Sequence, residues 1–181
     1  PPVLRDELHL YGFPKSGASS RGLLPHHFEQ IRLDNLLAER SAEACGIMES
    51  LGNGYAVEQP IPWRGAVSMF QFTCFLNLVG SGAKEVRFDQ CMFGAPTRKP
   101  TQIIFGNSDF SSLEAWCAHV GVEQWDDHGR SYLAPHPSIV GKKDKSGTFR
   151  TSSLAAYPRD LCCKFATLIH SSLVSWPSSS S

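Results

Sequence analysis

The chain has 181 residues, of which 41% are hydrophobic and 19% charged, and this composition excludes a fibrous or wholly disordered protein. Seventeen basic residues balance seventeen acidic ones, so net charge gives no general attraction to nucleic acid or to a membrane surface. The six cysteines lack the spacing of a secreted disulfide scaffold, and no signal peptide or membrane-spanning apolar run is visible. We therefore expect an intracellular protein with reduced thiols and no membrane partner, the nucleus being one compartment compatible with this expectation.

Apolar periodicity predicts alternating strands and helices in the first part of the chain. The predicted elements are a strand at 8–11, a helix capped by Asp34 and ended by Gly52 and Gly54, a strand at 54–58, a helix at 67–79, and a strand pair at 85–93 and 102–105. This order indicates an open α/β sheet that is mostly parallel and has an antiparallel edge hairpin.

The regular pattern fades beyond Asn107. We expect an α/β core at 1–106, an irregular insertion containing tryptophan, histidine and cysteine at 107–147, a closing helical segment at 148–176 and a disordered tail at 177–181. Tyr157-Pro158 is the predicted start of the closing helix. Because the chain begins with proline and ends in a serine run, we also expect a segment of a longer polypeptide.

Three motifs, in order, resemble those of DNA cytosine-5 methyltransferases. The run from Phe93 to Gly106 resembles the family's aromatic-Gly-Val-Pro-Gln-x-Arg-x-Arg turn, with Thr97, Lys99 and Thr101 replacing its glutamine and two arginines. Glu58, at the end of a predicted strand, matches the glutamate of the Glu-Asn-Val motif. The segment 12–19 resembles the Pro-Cys-Gln-x-x-Ser loop, and residues 155–166 resemble the helix that closes the family's sheet.

The resemblance implies the C-terminal half of a Rossmann-like methyltransferase domain. Glu58 would be its catalytic carboxylate, and Arg98, Lys99 and Thr101 would face DNA. Lys15 stands where the family has its nucleophilic cysteine, and a lysine ammonium cannot attack the base. The glycine-rich loop for S-adenosylmethionine would precede residue 1, so cofactor binding would need the missing N-terminal half as a partner. The resemblance therefore implies a pseudoenzyme that transfers no methyl group by itself.

A non-enzymatic nucleic-acid-binding module, within a mobile genetic element, is a second hypothesis. Arg98 and Lys99 could contact phosphates together with a downstream lysine run, and exposed aromatic rings could stack on bases. The downstream lysines are Lys142, Lys143 and Lys145, and the aromatic candidates are Phe93, Trp116 and Trp125.

A zinc-stabilised interaction domain is a third hypothesis. Cys117, His119, His128 and His136 supply four side chains of the types that bind zinc. Their spacing does not match a standard zinc finger, and scattered histidines more often pack, cap or face water than bind a metal. From the sequence, we favour the methyltransferase-like interpretation over both alternatives.

Overall fold

The computed structural model describes residues 4–15, 22–62, 67–125, 131–134, 136 and 156–174. This part of the chain forms three α-helices and two small sheets. The elements are α1 (Pro25–Ser50), β1 (Tyr55–Pro60), α2 (Thr73–Gly80), β2 (Lys84–Asp89), β3 (Pro100–Gly106), β4 (Val122–Trp125), β5 (Ser131–Ala134) and α3 (Arg159–Val174). Three 3₁₀ turns lie at Met69–Gln71, Gln90–Phe93 and Ser111–Leu113.

The larger sheet is antiparallel with the strand order β1-β3-β2, so the predicted mostly parallel Rossmann-like sheet is wrong. β1 and β2 run in the same direction and are joined through α2, which is why the sequence pattern resembles a parallel unit. In the structure β3 lies between them and pairs with both. Its run Ile103-Ile104-Phe105 is buried throughout, because a central strand packs on both faces.

The predicted strand at 8–11 is also wrong, because this segment forms turns. The carboxylate of Asp6 accepts a hydrogen bond from the Leu8 N–H at 3.0 Å and lies 2.8 Å from His9 Nδ1. The His9 N–H also donates to the carbonyl of Asp6, and the Gly12 N–H donates to that of His9. An aspartate that bonds the backbone two residues on favours a turn over a strand.

Helix α1 begins nine residues before the predicted cap at Asp34. Pro25 occupies its first turn, where a missing N–H leaves no intrahelical bond unmade, and His27 Nδ1 accepts the Leu24 N–H at 2.9 Å. Asp34 is inside the helix and its carboxylate accepts bonds from Arg5 and Gln30. The predicted end at Gly52 is confirmed.

That end is a left-handed glycine cap. Gly52 has φ +71°, and the Asn53 N–H donates to the Met48 carbonyl at 2.8 Å, which closes the last turn. The predicted strand at 54–58, the strand pair around the 94–99 turn and the start of the closing helix after Pro158 are confirmed as β1, β2 with β3, and α3. The predicted tail lies outside the described residues.

The chain divides into two compact units, Pro1–Glu85 with Gln102–Asp109, and Val86–Thr101 with Phe110–Ser181. In the first unit α1 packs on β1 and α2. The core of the first unit consists of Ala38, Ala42, Cys45, Tyr55, Phe70, Phe72, Phe75, Ala83 and Ile104.

The second unit has an aromatic core. Phe165 of α3 lies 6.5 Å from Phe88, 6.1 Å from Phe110 and 6.2 Å from Tyr157, measured between ring centroids, with edge-on geometry. Such arrangements stabilise aromatic pairs beyond the area that they bury. Leu161 is completely buried one turn before Phe165 and extends the contact face of α3.

Candidate metal centre

The 3₁₀ turn that follows β2 positions Cys91. The strand ends at Asp89, and the chain turns back at Gly94, whose φ of +91° a residue with a side chain rarely adopts. The Gly94 N–H donates to the carbonyl of Cys91 at 3.2 Å. The turn faces Cys91 into the unit, where its side chain is buried.

Asp89 connects this turn to the segment that contains Cys117. Its backbone N–H donates to the Ala115 carbonyl at 2.8 Å, and its carboxylate Oδ2 accepts the Cys117 N–H at 2.9 Å. The second oxygen, Oδ1, accepts a bond from Arg98 Nε at 2.9 Å. Asp89 is fully buried, so this pair of bonds compensates for the removal of its charge from water.

The hairpin of β4 and β5 brings the two histidines together. Val122 pairs with Ala134 and Trp125 with Ser131, so the strands are antiparallel and in continuous register. His119 precedes β4 by three residues and His136 follows β5 by two, so both lie near the end of the hairpin at which Val122 pairs with Ala134. Their rings lie 4.9 Å apart and nearly perpendicular.

Cys91, Cys117, His119 and His136 form one cluster, in which the potential ligand atoms all lie within 4.8 Å of one another. Cys117 Sγ is 3.4 Å from His119 Nδ1 and 3.2 Å from His136 Nε2. In a tetrahedral site with Zn–S of about 2.3 Å and Zn–N of about 2.0 Å, sulfur and nitrogen ligands lie roughly 3.5 Å apart. This part of the chain therefore holds a group of side chains that could bind a metal ion.

The four side chains differ in burial: Cys91 is buried, Cys117 and His136 are half-buried, and His119 is exposed. The pKa of the Cys91 thiol is raised to about 12, first by removal from water and then by its hydrogen bond to Cys117 and the charges of Cys117 and Asp89. Burial and a neighbouring thiol both disfavour the thiolate form and so raise the thiol pKa, whereas a bound cation would favour the thiolate form of both cysteines.

Three of the four side chains proposed from the sequence meet in the structure, namely Cys117, His119 and His136. His128 lies outside the described residues. The fourth member of the cluster is Cys91, which the sequence interpretation placed inside a strand. In the sequence Cys91 directly follows Asp89 and Gln90 and precedes the glycine turn at Gly94. This local pattern indicates a metal ligand only when Cys117 is known to lie close to Cys91.

The two residues that the methyltransferase resemblance places at catalytic positions, Glu58 and Lys15, are not members of the cluster. Glu58 is half-buried on β1, and Lys15 is exposed beside Glu29 and Arg32 at the start of α1, where these residues line a cavity of about 530 Å³. The roles of Glu58 and Lys15 remain predictions, without the parallel sheet that the resemblance implied.

The residues proposed to contact nucleic acid have protein partners. Arg98 binds Asp89, and Lys99 Nζ lies 5.3 Å from the centre of the Tyr157 ring. Thr101 is fully buried, and its hydroxyl accepts from Gln90 and donates to the Lys99 carbonyl. The lysine run at 142–145 lies outside the described residues.

Comparison of the chain with known proteins found no matching family model, no matching curated protein and no matching solved structure. Among the described residues, no helix has both the length and the apolar character required to cross a membrane. The Cys/His cluster is thus the feature of the described residues on which a functional assignment can rest.

Proposed function

We propose that this chain is a zinc-stabilised interaction module, in which Cys91, Cys117, His119 and His136 hold one zinc ion. The single observation that supports this proposal is the convergence of two thiols and two imidazoles within 4.8 Å. The chain contributes them from three segments, namely the turn after β2 for Cys91, the residues before β4 for Cys117 and His119, and the residues after β5 for His136.

Zinc fits this ligand set better than other common divalent metals. Two sulfurs and two nitrogens arranged tetrahedrally are a typical structural zinc donor set, whereas calcium and magnesium prefer oxygen ligands. The bond from the Cys117 N–H to Asp89 is also in keeping with this role, because outer-shell hydrogen bonds hold metal ligands in orientation.

A structural role is favoured over a catalytic one by the number of ligands. Four protein side chains complete the tetrahedron, whereas a catalytic zinc keeps one position for water or substrate. The ion would join the 3₁₀ turn after β2 to the segment around Cys117 and to the end of the β4–β5 hairpin. The module would thereby hold its surface in one conformation for binding a partner.

The test is metal analysis combined with cobalt substitution. The chain is purified in the presence of zinc, and the metal-to-protein ratio is measured by mass spectrometry. We expect about one zinc per chain, and replacement by cobalt(II) should give the visible absorption of a tetrahedral site with thiolate ligands. Removal of zinc by a chelator should lower the free energy of unfolding by roughly 4 kcal/mol when free zinc had been at 1,000 times its dissociation constant.

Matched serine variants separate the site from the other thiols. Cys91→Ser and Cys117→Ser should each lose stoichiometric zinc and the thiolate absorption. Cys162→Ser and Cys163→Ser change exposed thiols on α3 and should retain both. A chain with no bound zinc and no loss of stability with chelator would exclude the proposal, as would retention of tetrahedral cobalt absorption in the Cys91→Ser, Cys117→Ser double variant.

A further inference from the structure

Helix α1 has apolar residues on two opposite faces. One face is buried in its own unit through Ile31, Ala38, Ala42 and Cys45. The other face is an exposed stripe, which we call the outer seam, made of Leu33, Leu37, Arg40, Ala44, Ile47 and the C-cap residue Leu51, with Leu36 beside it. A helix needs only one apolar face to pack on its own core, so the outer seam requires a separate explanation.

The spacing of the outer seam matches a coiled coil. Its residues follow one another in steps of four and three, so Leu37, Ala44 and Leu51 fall at one heptad position and Leu33 and Ile47 at the other. The five large side chains on or beside the seam are 41 to 68% exposed, namely Leu33, Leu36, Leu37, Ile47 and Leu51. Contiguous exposed apolar surface of this kind marks an interaction site.

The charges of the seam select the partner and its direction. Arg40 is the charged residue on the seam and lies near its midpoint, where its guanidinium bonds the Glu43 carboxylate at 2.5 Å. In an antiparallel pair of identical helices centred on this point, Arg40 of each copy lies opposite Ala44 and beside Glu43 of the other. A parallel pair would instead place Arg40 against Arg40, and like charges at such positions are repulsive.

We propose that the outer seam of α1 is a self-association surface on which two copies of this chain pair as antiparallel helices. Leu33 then packs on Leu51 of the second copy and Leu37 on its Ile47. The two Arg40–Glu43 pairs meet at the centre and form a group of four alternating charges. The two copies contribute the same patch, as expected for a two-fold dimer.

The area of the seam sets the expected strength. Two copies would bury roughly 1,000 Å² in total through these side chains, which is below the about 1,200 to 2,000 Å² of stable specific interfaces and within the range of weak, transient ones. We therefore expect a dissociation constant in the micromolar range rather than an obligate dimer. The proposal concerns the first unit alone and does not depend on zinc binding by the second.

The experiment is sedimentation velocity of the full 181-residue chain, with and without added zinc, over a concentration series that spans the micromolar range. The wild-type chain should shift from monomer to dimer. Arg40→Glu and Glu43→Arg should each weaken association by about tenfold or more, because each places like charges at the centre of the pair. An equimolar mixture of these two variants should restore the dimer, since opposite charges then face each other.

Arg32→Glu is the matched control, because Arg32 and Glu29 form the same kind of exposed ion pair on α1, at 2.7 Å, outside the outer seam. It should leave association unchanged, and circular dichroism should confirm that every variant keeps its helix content. A wild-type chain that remains monomeric across the series would overturn the proposal. Equal effects of Arg32→Glu and Arg40→Glu, or a mixture of the two central variants that does not associate, would also overturn it.

Discussion

Replacing Asp89 by asparagine tests whether this buried carboxylate positions the Cys117 segment for metal binding. The carboxylate is fully buried and accepts two hydrogen bonds, from Arg98 Nε and from the Cys117 N–H, both at 2.9 Å. Asparagine has the same shape but only one accepting oxygen. Its amide nitrogen must therefore face one of the two donors.

The exposure of the two donors determines which bond is lost. The Cys117 N–H is held inside the unit, whereas the Arg98 side chain is 49% exposed and can turn to water. The arrangement that keeps the Cys117 bond and loses the charge-assisted bond to Arg98 therefore has the lower free energy. A charge-assisted hydrogen bond contributes about 1.5 to 3 kcal/mol, and solvent screening at Arg98 reduces the expected loss to about 1 to 2 kcal/mol.

The same change should weaken metal binding. Loss of an outer-shell partner typically lowers metal affinity by about 10- to 100-fold. We expect Asp89→Asn near the lower end of this range, because the amide oxygen can still accept the Cys117 N–H. The measurements are zinc competition against a chelator of known affinity, and urea unfolding of the metal-free chain.

Asp160→Asn provides the control, since it makes the same chemical change at an exposed position in the same unit. It should alter both quantities only slightly. If Asp89→Asn bound zinc as tightly as the wild type and unfolded at the same urea concentration, the bonds from Asp89 would be irrelevant to the site, and the reasoning from its burial would be refuted.

Two further predictions concern backbone conformation and pH. Gly94→Ala should lower the free energy of unfolding by about 1 to 2 kcal/mol, because φ of +91° strains any residue with a Cβ. Gly46→Ala lies inside α1 and leaves no atom within 4 Å of the added carbon, so it should raise the free energy of unfolding by about 0.5 to 1 kcal/mol. Urea unfolding measures both, and equal signs would contradict the backbone argument. Burial, followed by the neighbouring Glu49 carboxylate, raises the pKa of the Tyr55 hydroxyl. The unfolded chain therefore ionises first, so stability should be constant with pH below about 10 and fall above it, and Tyr55→Phe should reduce that fall. The measurement is urea unfolding over a pH series, and an identical alkaline fall in wild type and variant would count against the burial of Tyr55.

Local signals in the sequence identify the strand pair β2–β3 and the helix α3. Val86 and Phe88 alternate with polar residues, Gly94 permits the reversal between the strands, and Tyr157-Pro158 precedes the closing helix. Strand order has no such local signal. The buried run Ile103-Ile104-Phe105 looks the same in a parallel strand as in the centre of an antiparallel sheet, so the predicted topology was wrong although these strands were predicted correctly.

The sequence predicts only part of the candidate metal site, for a similar reason. Cys117, His119 and His136 were identified by residue type, because cysteine and histidine are the usual zinc ligands. Cys91 was missed because the alternating pattern of the preceding strand extends through Phe93, whereas the strand ends at Asp89. The 3₁₀ turn that faces Cys91 inward depends on Gly94 and on the pairing of Gln90 with Lys99, and neither is readable from periodicity.

The distribution of apolar contacts explains why a metal would matter most in the second unit. Its packed residues include Phe88, Phe110 and Leu113, and packing weakens beyond Leu113, where Trp116 is 50% and Val120 is 88% exposed. The segment from Cys117 to the start of β4 therefore gains little from hydrophobic burial. A metal held by four side chains would connect it to the buried turn after β2, and ligation would contribute directly to folding. The chelator experiment should consequently affect this unit before the aliphatic and aromatic core around α1.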